Sequence, residues 1–155
     1  MGRRTLLRTS LAVAATAVAG GLATDPQSPW YRSLRTPSWQ PPPPAYGLVW
    51  TPLYADLAVT SARALDGLAG RSREQSRYRA ALAANLVLNA GWNVLFFRAR
   101  RPWLAAAECA VLTFSAADLV RRTAAVDRRA GAALAPYPAW CGFATALTIA
   151  IARRN

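Results

Sequence analysis

The sequence predicts an all-α fold, an integral membrane bundle of five transmembrane helices forming a single domain over residues 1–155, and three observations point to it. Apolar residues dominate five windows, 6–23, 46–65, 78–97, 102–120 and 131–152, each close to the roughly 20 residues that carry a helix across a bilayer. All 19 basic residues are arginine, and they gather mainly between the windows, at 71–79, 98–101, 121–129 and 153–154. Tryptophan and tyrosine collect at window ends, as in the aromatic belt of a membrane interface. The mean hydropathy of +0.12 is low only because it averages these two populations. A soluble alanine-rich bundle is the rival arrangement, since Asp56, Arg63, Glu108 and Asp118 interrupt the windows. Such a bundle would need a regular polar stripe along each helix, which the windows lack.

Composition also removes several classes of function. The +12 net charge sits in connections, where arginine meets acidic headgroups, whereas a nucleic-acid binder needs one continuous basic face. A lipid partner is therefore expected, and no nucleic acid. There is no histidine and no lysine, and Cys109 and Cys141 lie inside apolar segments as small buried hydrophobes. Zinc, histidine-ligated haem iron, Schiff-base chemistry and a Ser-His-Asp triad all lack their parts. No metal site and no required cofactor are expected.

The first window follows Arg3, Arg4 and Arg8 and ends in small residues, a pattern shared by a cleaved signal peptide and a retained first span. Cleavage leaves four spans and retention five. Ala12, Thr16 and Gly20, or Ala15, Ala19 and Ala23, have the four-residue spacing that permits close helix contact. In the first connection Pro37 and the run 41–44 remove amide donors and fix backbone angles, predicting a stiff cap of polyproline or turn character. Trp30, Trp39 and Tyr46 then lie at the membrane surface or fold over the mouth of the bundle.

On the second window Trp50, Tyr54 and Leu57 share a helix face. On the third, Asn85, Asn89, Trp92 and Phe96 form one stripe, and on the fifth Tyr137, Trp140, Ala144, Leu147 and Ile151 form another. Amides are costly against lipid, so the third stripe faces protein or a cavity. For Asn85, tight packing with interhelical hydrogen bonds is an equal reading. Aromatic stripes converging on a helical interior make a mostly apolar pocket with a few polar anchors. Flat aromatic ligands suit it, with indole and phenol faces to stack on and amide or guanidinium groups to meet a carboxylate. Acids inside the windows are functional candidates because insertion is costly. Asp118 is close enough to a helix end to snorkel. Glu108 is expected to pair with arginine or accept a tryptophan N–H, and with Asp56 it keeps a proton-coupled small-molecule transporter open. The amino-terminal, second and fourth connections are richer in arginine than the others, which places the amino terminus in the cytoplasm.

Three blocks in order carry a family resemblance: WYRSLRTPSWQPPPPAYGLVWTPLY at 30–54, LNAGWNVLFF at 88–97 and APYPAWCGFATAL at 135–147. Together they resemble the tryptophan-rich sensory protein (TspO) family, whose animal members are called translocator protein or peripheral benzodiazepine receptor. The resemblance implies five spans with the first retained, in a multi-pass protein of a bacterial cell membrane, and allows a homodimer. It also implies a loop closing a pocket, with protoporphyrin or haem and synthetic aromatic amides as ligands. The matching pocket positions are Tyr46, Gly47, Val49, Trp50 and Tyr54, then Asn89 and Trp92, then Trp103, Ala106 and Ala110, then Trp140, Ala144 and Leu147, with Trp30 and Trp39 in the lid. Porphyrin breakdown is the enzymatic alternative the resemblance carries, through Trp50 and Trp140. Pro44 departs from the pattern where many relatives have another tryptophan. The ending LTIAIARRN lacks the aromatic of a proposed sterol motif and has Thr148 in place of a usual asparagine, so cholesterol recognition is not expected.

Overall fold

A computed structural model describes residues 2–155, and every regular element among them is helical. The elements are α1 (Arg3–Ala23), α2 (Pro29–Ser33), α3 (Pro43–Gly67), α4 (Ser72–Asn93) continued by a π-helical turn (Val94–Arg98), α5 (Pro102–Ala124), α6 (Arg128–Leu134) and α7 (Pro136–Ala152). Proline opens α2, α3, α5 and α7, where its missing amide hydrogen costs nothing and its fixed φ suits the first turn. Asp127 caps α6 by accepting from the amides of Arg129 and Ala130.

Four segments are both long and apolar enough to cross a membrane: Arg3–Ala23, Ser72–Arg98, Pro102–Ala124 and Arg128–Ala152. The second predicted span, inside α3, is long enough at 25 residues but falls short in apolar content. Asp56, Arg63 and Asp66, with the tyrosines and Pro52, dilute it. The third predicted span begins earlier than expected, because the arginine-bearing stretch from Ser72 is already helical. The fifth is two helices meeting at Ala135, which keeps helical backbone angles while Pro136 and Pro138 withdraw two amide donors. The first connection has turns at 26–27 and 38–39 and adds a short helix that the polyproline or turn character did not foretell. Ser28 accepts from the Tyr31 amide and starts the short α2, and only then does the proline-rich strap run to α3.

α1 packs on α3 and α4, α4 on α5, and α5 on α7, while α6 wedges between α3 and α5. Two glycines permit close approach between elements. A Cβ on Gly20 would sit 2.9 Å from the side-chain Nδ2 of Asn93, and one on Gly131 would meet the Ala124 backbone at 2.6 Å. The Thr9 hydroxyl donates to the Ala58 carbonyl at 2.9 Å, pinning α1 to α3. Outside, Leu11, Val18, Leu22, Leu48, Val87 and Phe114 are all more than half exposed. In a multi-pass membrane protein that outer shell faces acyl chains.

The buried side chains form two clusters. One, around Leu57, Leu82, Leu112, Leu119, Leu134 and Tyr137, fills the middle and the arginine-rich end. The other, around Phe96, Ala105, Leu147 and Ile151, lies at the strap end and is covered by Trp30, Tyr31, Leu34 and Tyr46.

Candidate functional site

Between the two clusters a cavity of about 320 Å³ opens beneath the strap. Its walls come from the carboxyl end of α1 (Ala17 to Thr24), the first turns of α3, the end of α4 with its π turn, and the inner faces of α5 and α7. The floor is a chain of polar side chains linking four helices. Tyr54 Oη donates to Asn89 Oδ1 at 2.6 Å, and Asn89 Nδ2 donates to Tyr137 Oη at 3.1 Å. Tyr137 Oη donates in turn to Asn85 Oδ1 at 2.8 Å, and Asn85 Nδ2 reaches Ser115 Oγ at 3.2 Å. Asn85, at 0% exposure, is thus an interhelical tie and not a cavity residue. Such a network is stable in a low dielectric only while each member keeps its partner.

Above that floor the walls are aromatic. Trp50 stacks on Tyr54 with centroids 5.2 Å apart and meets Trp140 edge-on at 6.5 Å. Trp140 stacks on Phe143 at 5.1 Å, and Tyr46 approaches Trp140 at 6.3 Å. On the opposite wall Trp92 lies nearly parallel to Phe96, 5.1 Å away. The π turn sets this arrangement. The Ala99 amide bonds back to the Val94 carbonyl at 2.8 Å, five residues earlier, and the widened turn brings Phe96 and Phe97 both toward the interior. Such turns recur at functional sites.

Polar groups in the cavity are few. The indole nitrogens of Trp92 and Trp140 and the amide oxygen of Gln40 are buried without a hydrogen-bond partner among the described residues. Two donors and one acceptor therefore stand open in an otherwise apolar space. No charged side chain belongs to the lining among the described residues, so the guanidinium expected to meet a carboxylate is missing, and the polar anchors are neutral amides, indole N–H groups and hydroxyls. Glu108 lies outside the lining. Both of its oxygens are buried and unpartnered among the described residues, beside Gly91 across the α4–α5 contact, so among these it meets neither the arginine nor the tryptophan N–H expected of it. Asp56 also stands outside the lining, and Asp118 pairs with Arg121 and Arg122 near the end of α5.

Among the positions drawn from sequence, Tyr46, Trp50, Tyr54, Asn89, Trp92, Trp140, Ala144 and Leu147 come together around the cavity. Gly47, Val49, Trp103, Ala106 and Ala110 do not. Trp103 is 59% exposed and turned outward, whereas Ala106 is buried in helix packing. Trp30 and Trp39 do not line the cavity either. They hold the strap down, Trp30 edge-on to Phe96 at 5.5 Å and Trp39 edge-on to Phe143 at 5.8 Å. From the first connection Pro26, Tyr31 of α2 and Gln40 of the strap reach the cavity, the last two joined by a 3.0 Å hydrogen bond. A third hold is Asn155, whose side chain bonds both the amide and the carbonyl of Arg35.

Sequence reading missed the α1 wall, because Ala17, Gly20 and Gly21 have no chemical signature beyond small size. It missed Phe97 and Phe143 because regular helical spacing puts them off the stripes. Cys109 and Cys141 are free and buried, as expected, yet they border the cavity.

Comparison with known proteins shows the family. The TspO/MBR family profile matches residues 9–154. The chain is 31% identical to the human translocator protein over 126 residues, covering 81% of this chain and 75% of that one. It is 30% identical to the tryptophan-rich protein TspO of Chlorobaculum tepidum over 138 residues, 88% of this chain and 87% of that one. Against the tryptophan-rich sensory protein of Cereibacter sphaeroides the identity is 31% over 126 residues, covering 81% and 77%.

Proposed function

The chain belongs to the TspO/MBR family, and from that premise we propose that it is a five-span membrane receptor holding a flat tetrapyrrole, protoporphyrin or haem, in the cavity under the strap, as a sensor or regulator of tetrapyrrole and stress metabolism. The observation that carries this reading is that two aromatic pairs line one cavity, Trp50 with Trp140 from α3 and α7 and Trp92 with Phe96 from α4 and its π turn. A conjugated macrocycle stacks on such faces, and the unpartnered indole N–H groups of Trp92 and Trp140 favour a ligand that carries acceptors. With no charge in the lining, the carboxylates of such a ligand stay at the rim. At about 320 Å³ the closed cavity is at the small end of ligand sites, which run roughly 300–1,000 Å³, so a tetrapyrrole enters by lifting the strap.

The test is saturable quenching of tryptophan emission by protoporphyrin in detergent, with cholesterol as comparator. Quenching no greater than in an unrelated membrane protein would remove the assignment. The second span, α3, which brings the number to five, is tested by cysteine labelling at Ser38 and Ser72, both exposed, in a background without Cys109 and Cys141. Labelling from opposite faces is expected.

Porphyrin breakdown is the second reading, favoured by the contiguous oxidisable rings Tyr54, Trp50 and Trp140. Absorption spectra of the porphyrin complex in dark and light separate it from binding alone. Transport lacks a comparable feature, since Asp56 and Glu108 stand outside the cavity lining.

A further inference from the structure

A second hollow, of about 410 Å³, lies at the other end of the bundle between α1 and α4. These two helices run side by side in the same direction and close tightly at the strap end, where Gly20 abuts Asn93. Toward their amino-terminal ends the small side chains of Ala12 and Ala83 leave a groove, floored by the buried Leu65, Leu82 and Leu86. Its mouth carries Arg4 and Arg8 from α1 and Arg79 from α4. None of the three makes an ion pair or a side-chain hydrogen bond among the described residues; other arginines at this end, such as Arg73 and Arg77, also have no carboxylate partner, but they stand outside the groove. Asp66, the acid at the end of α3 beside α1, accepts from the Gly2 amide and is not part of the groove.

The geometry points to a site for an anionic phospholipid of the bilayer, its phosphate held by Arg4, Arg8 and Arg79 and one acyl chain seated along Leu82 and Leu86. Charge complementarity selects the occupant. Three guanidinium groups border one groove where a membrane protein meets headgroups; guanidinium binds phosphate oxygens in a fork, and the added cation of a zwitterionic headgroup offsets that attraction whereas an anionic headgroup does not. The apolar floor running from them toward the bilayer centre excludes a purely ionic ligand as the best fit, because a free phosphate would leave the groove open to solvent. Since α1 holds both a wall of this groove and, eight residues past Ala12, the Gly20 wall of the strap cavity, an occupied groove also fixes α1 against α4.

The probe is phosphatidylglycerol in competition with phosphatidylcholine, added to the purified full chain in mixed micelles and read by native mass spectrometry. Wild type should retain phosphatidylglycerol in preference. The double substitution R8Q/R79Q should cut that preference on the order of tenfold, as expected for two basic residues at a membrane surface. Ala83→Phe, which fills the groove at an exposed position without changing charge, should lower retention as well. R153Q/R154Q, two arginines at the opposite end, should behave as wild type. Equal retention of the two lipids by wild type would overturn the site. So would an equal loss in R153Q/R154Q, which would mean diffuse surface charge, or undiminished retention in Ala83→Phe, which would mean an ionic contact without an acyl seat. Thermal unfolding of the same preparations establishes that each variant is folded, and Ala83→Phe carries the test if the double substitution is not.

Discussion

The strap end and the arginine end of this bundle are built on opposite principles. All 6 tryptophans belong to the strap end, where side chains are large, proline sets the helix starts, and polar atoms are left unpartnered around an open space. At the arginine end the backbones themselves come together through glycine and alanine, Tyr78 is sealed between Thr123 and Ser61, and the remaining hollow is a lipid-facing groove. The difference shows how one small helical domain separates rigidity from recognition. Close-packed backbones have little freedom to adjust, so the arginine end is the fixed frame. Aromatic walls with open donors present a surface to a ligand, and the strap that covers them is held by a few separate contacts.

Substitutions test that contrast, the largest effect coming first. Gly131→Val places a side chain where a Cβ already meets the Ala124 backbone at 2.6 Å. Overpacking against backbone should cost about 3 kcal/mol, read as a lowered midpoint of thermal or denaturant unfolding. Gly47→Val at the strap end, where a Cβ meets nothing within 4 Å, should stay within about 0.5 kcal/mol of wild type. Equal losses would break the comparison.

Next comes the polar floor between the two ends. Asn89→Leu leaves the Tyr54 hydroxyl without its partner and takes one of the two hydrogen bonds of Tyr137, and it should cost about 2 kcal/mol of stability, within the range for a buried group left unpaired. Tyr54→Phe removes one hydroxyl and leaves Tyr137 bonded to Asn85, so its cost should be smaller. The order of the two midpoints checks the network, and a larger loss in Tyr54→Phe would refute it.

A smaller effect is expected on binding at the strap end. Trp140→Phe keeps a π face but removes the open indole N–H, and protoporphyrin affinity should fall by about 1 kcal/mol. Trp103→Phe, at an outward-facing position, should leave affinity unchanged. Matching losses at the two sites would mean that quenching reports nonspecific adsorption. If Trp140→Phe binds as well as wild type yet no longer converts porphyrin in light, the breakdown reading displaces the receptor reading.

The smallest effect concerns the strap itself. Asn155→Ala deletes the bonds to both backbone groups of Arg35, exposed contacts worth at most about 1 kcal/mol. Stopped-flow measurement should show faster protoporphyrin release by about fivefold or less, by the usual conversion of free energy to rate, with the unfolding midpoint unchanged. Release at the wild-type rate would mean that Asn155 does not hold the strap.

Much of this molecule is written in patterns that need no partner. The helical class, the arginine-rich connections and the aromatic stripes follow from local hydrophobicity and from 3.6-residue periodicity, properties of a segment read alone. Trp50 with Tyr54, and Asn89 with Trp92, were legible for that reason, as was the interhelical role open to Asn85. The tertiary structure decided whatever depends on two segments meeting. Trp103 turned outward and Ala106 went into packing because the rotation of α5 is set by α4 and α7. The π turn added a residue at Val94–Arg98 and brought Phe97 inward, which no regular period foretells. Asn89 found its partners on α3 and α7, Glu108 found none, and α1 supplied a wall from residues with no side chain to advertise it. Sequence determines what each face of a helix is made of, whereas the facing partner, and so the choice between core, cavity and lipid, is fixed only when the helices pack, because that choice belongs to pairs of surfaces.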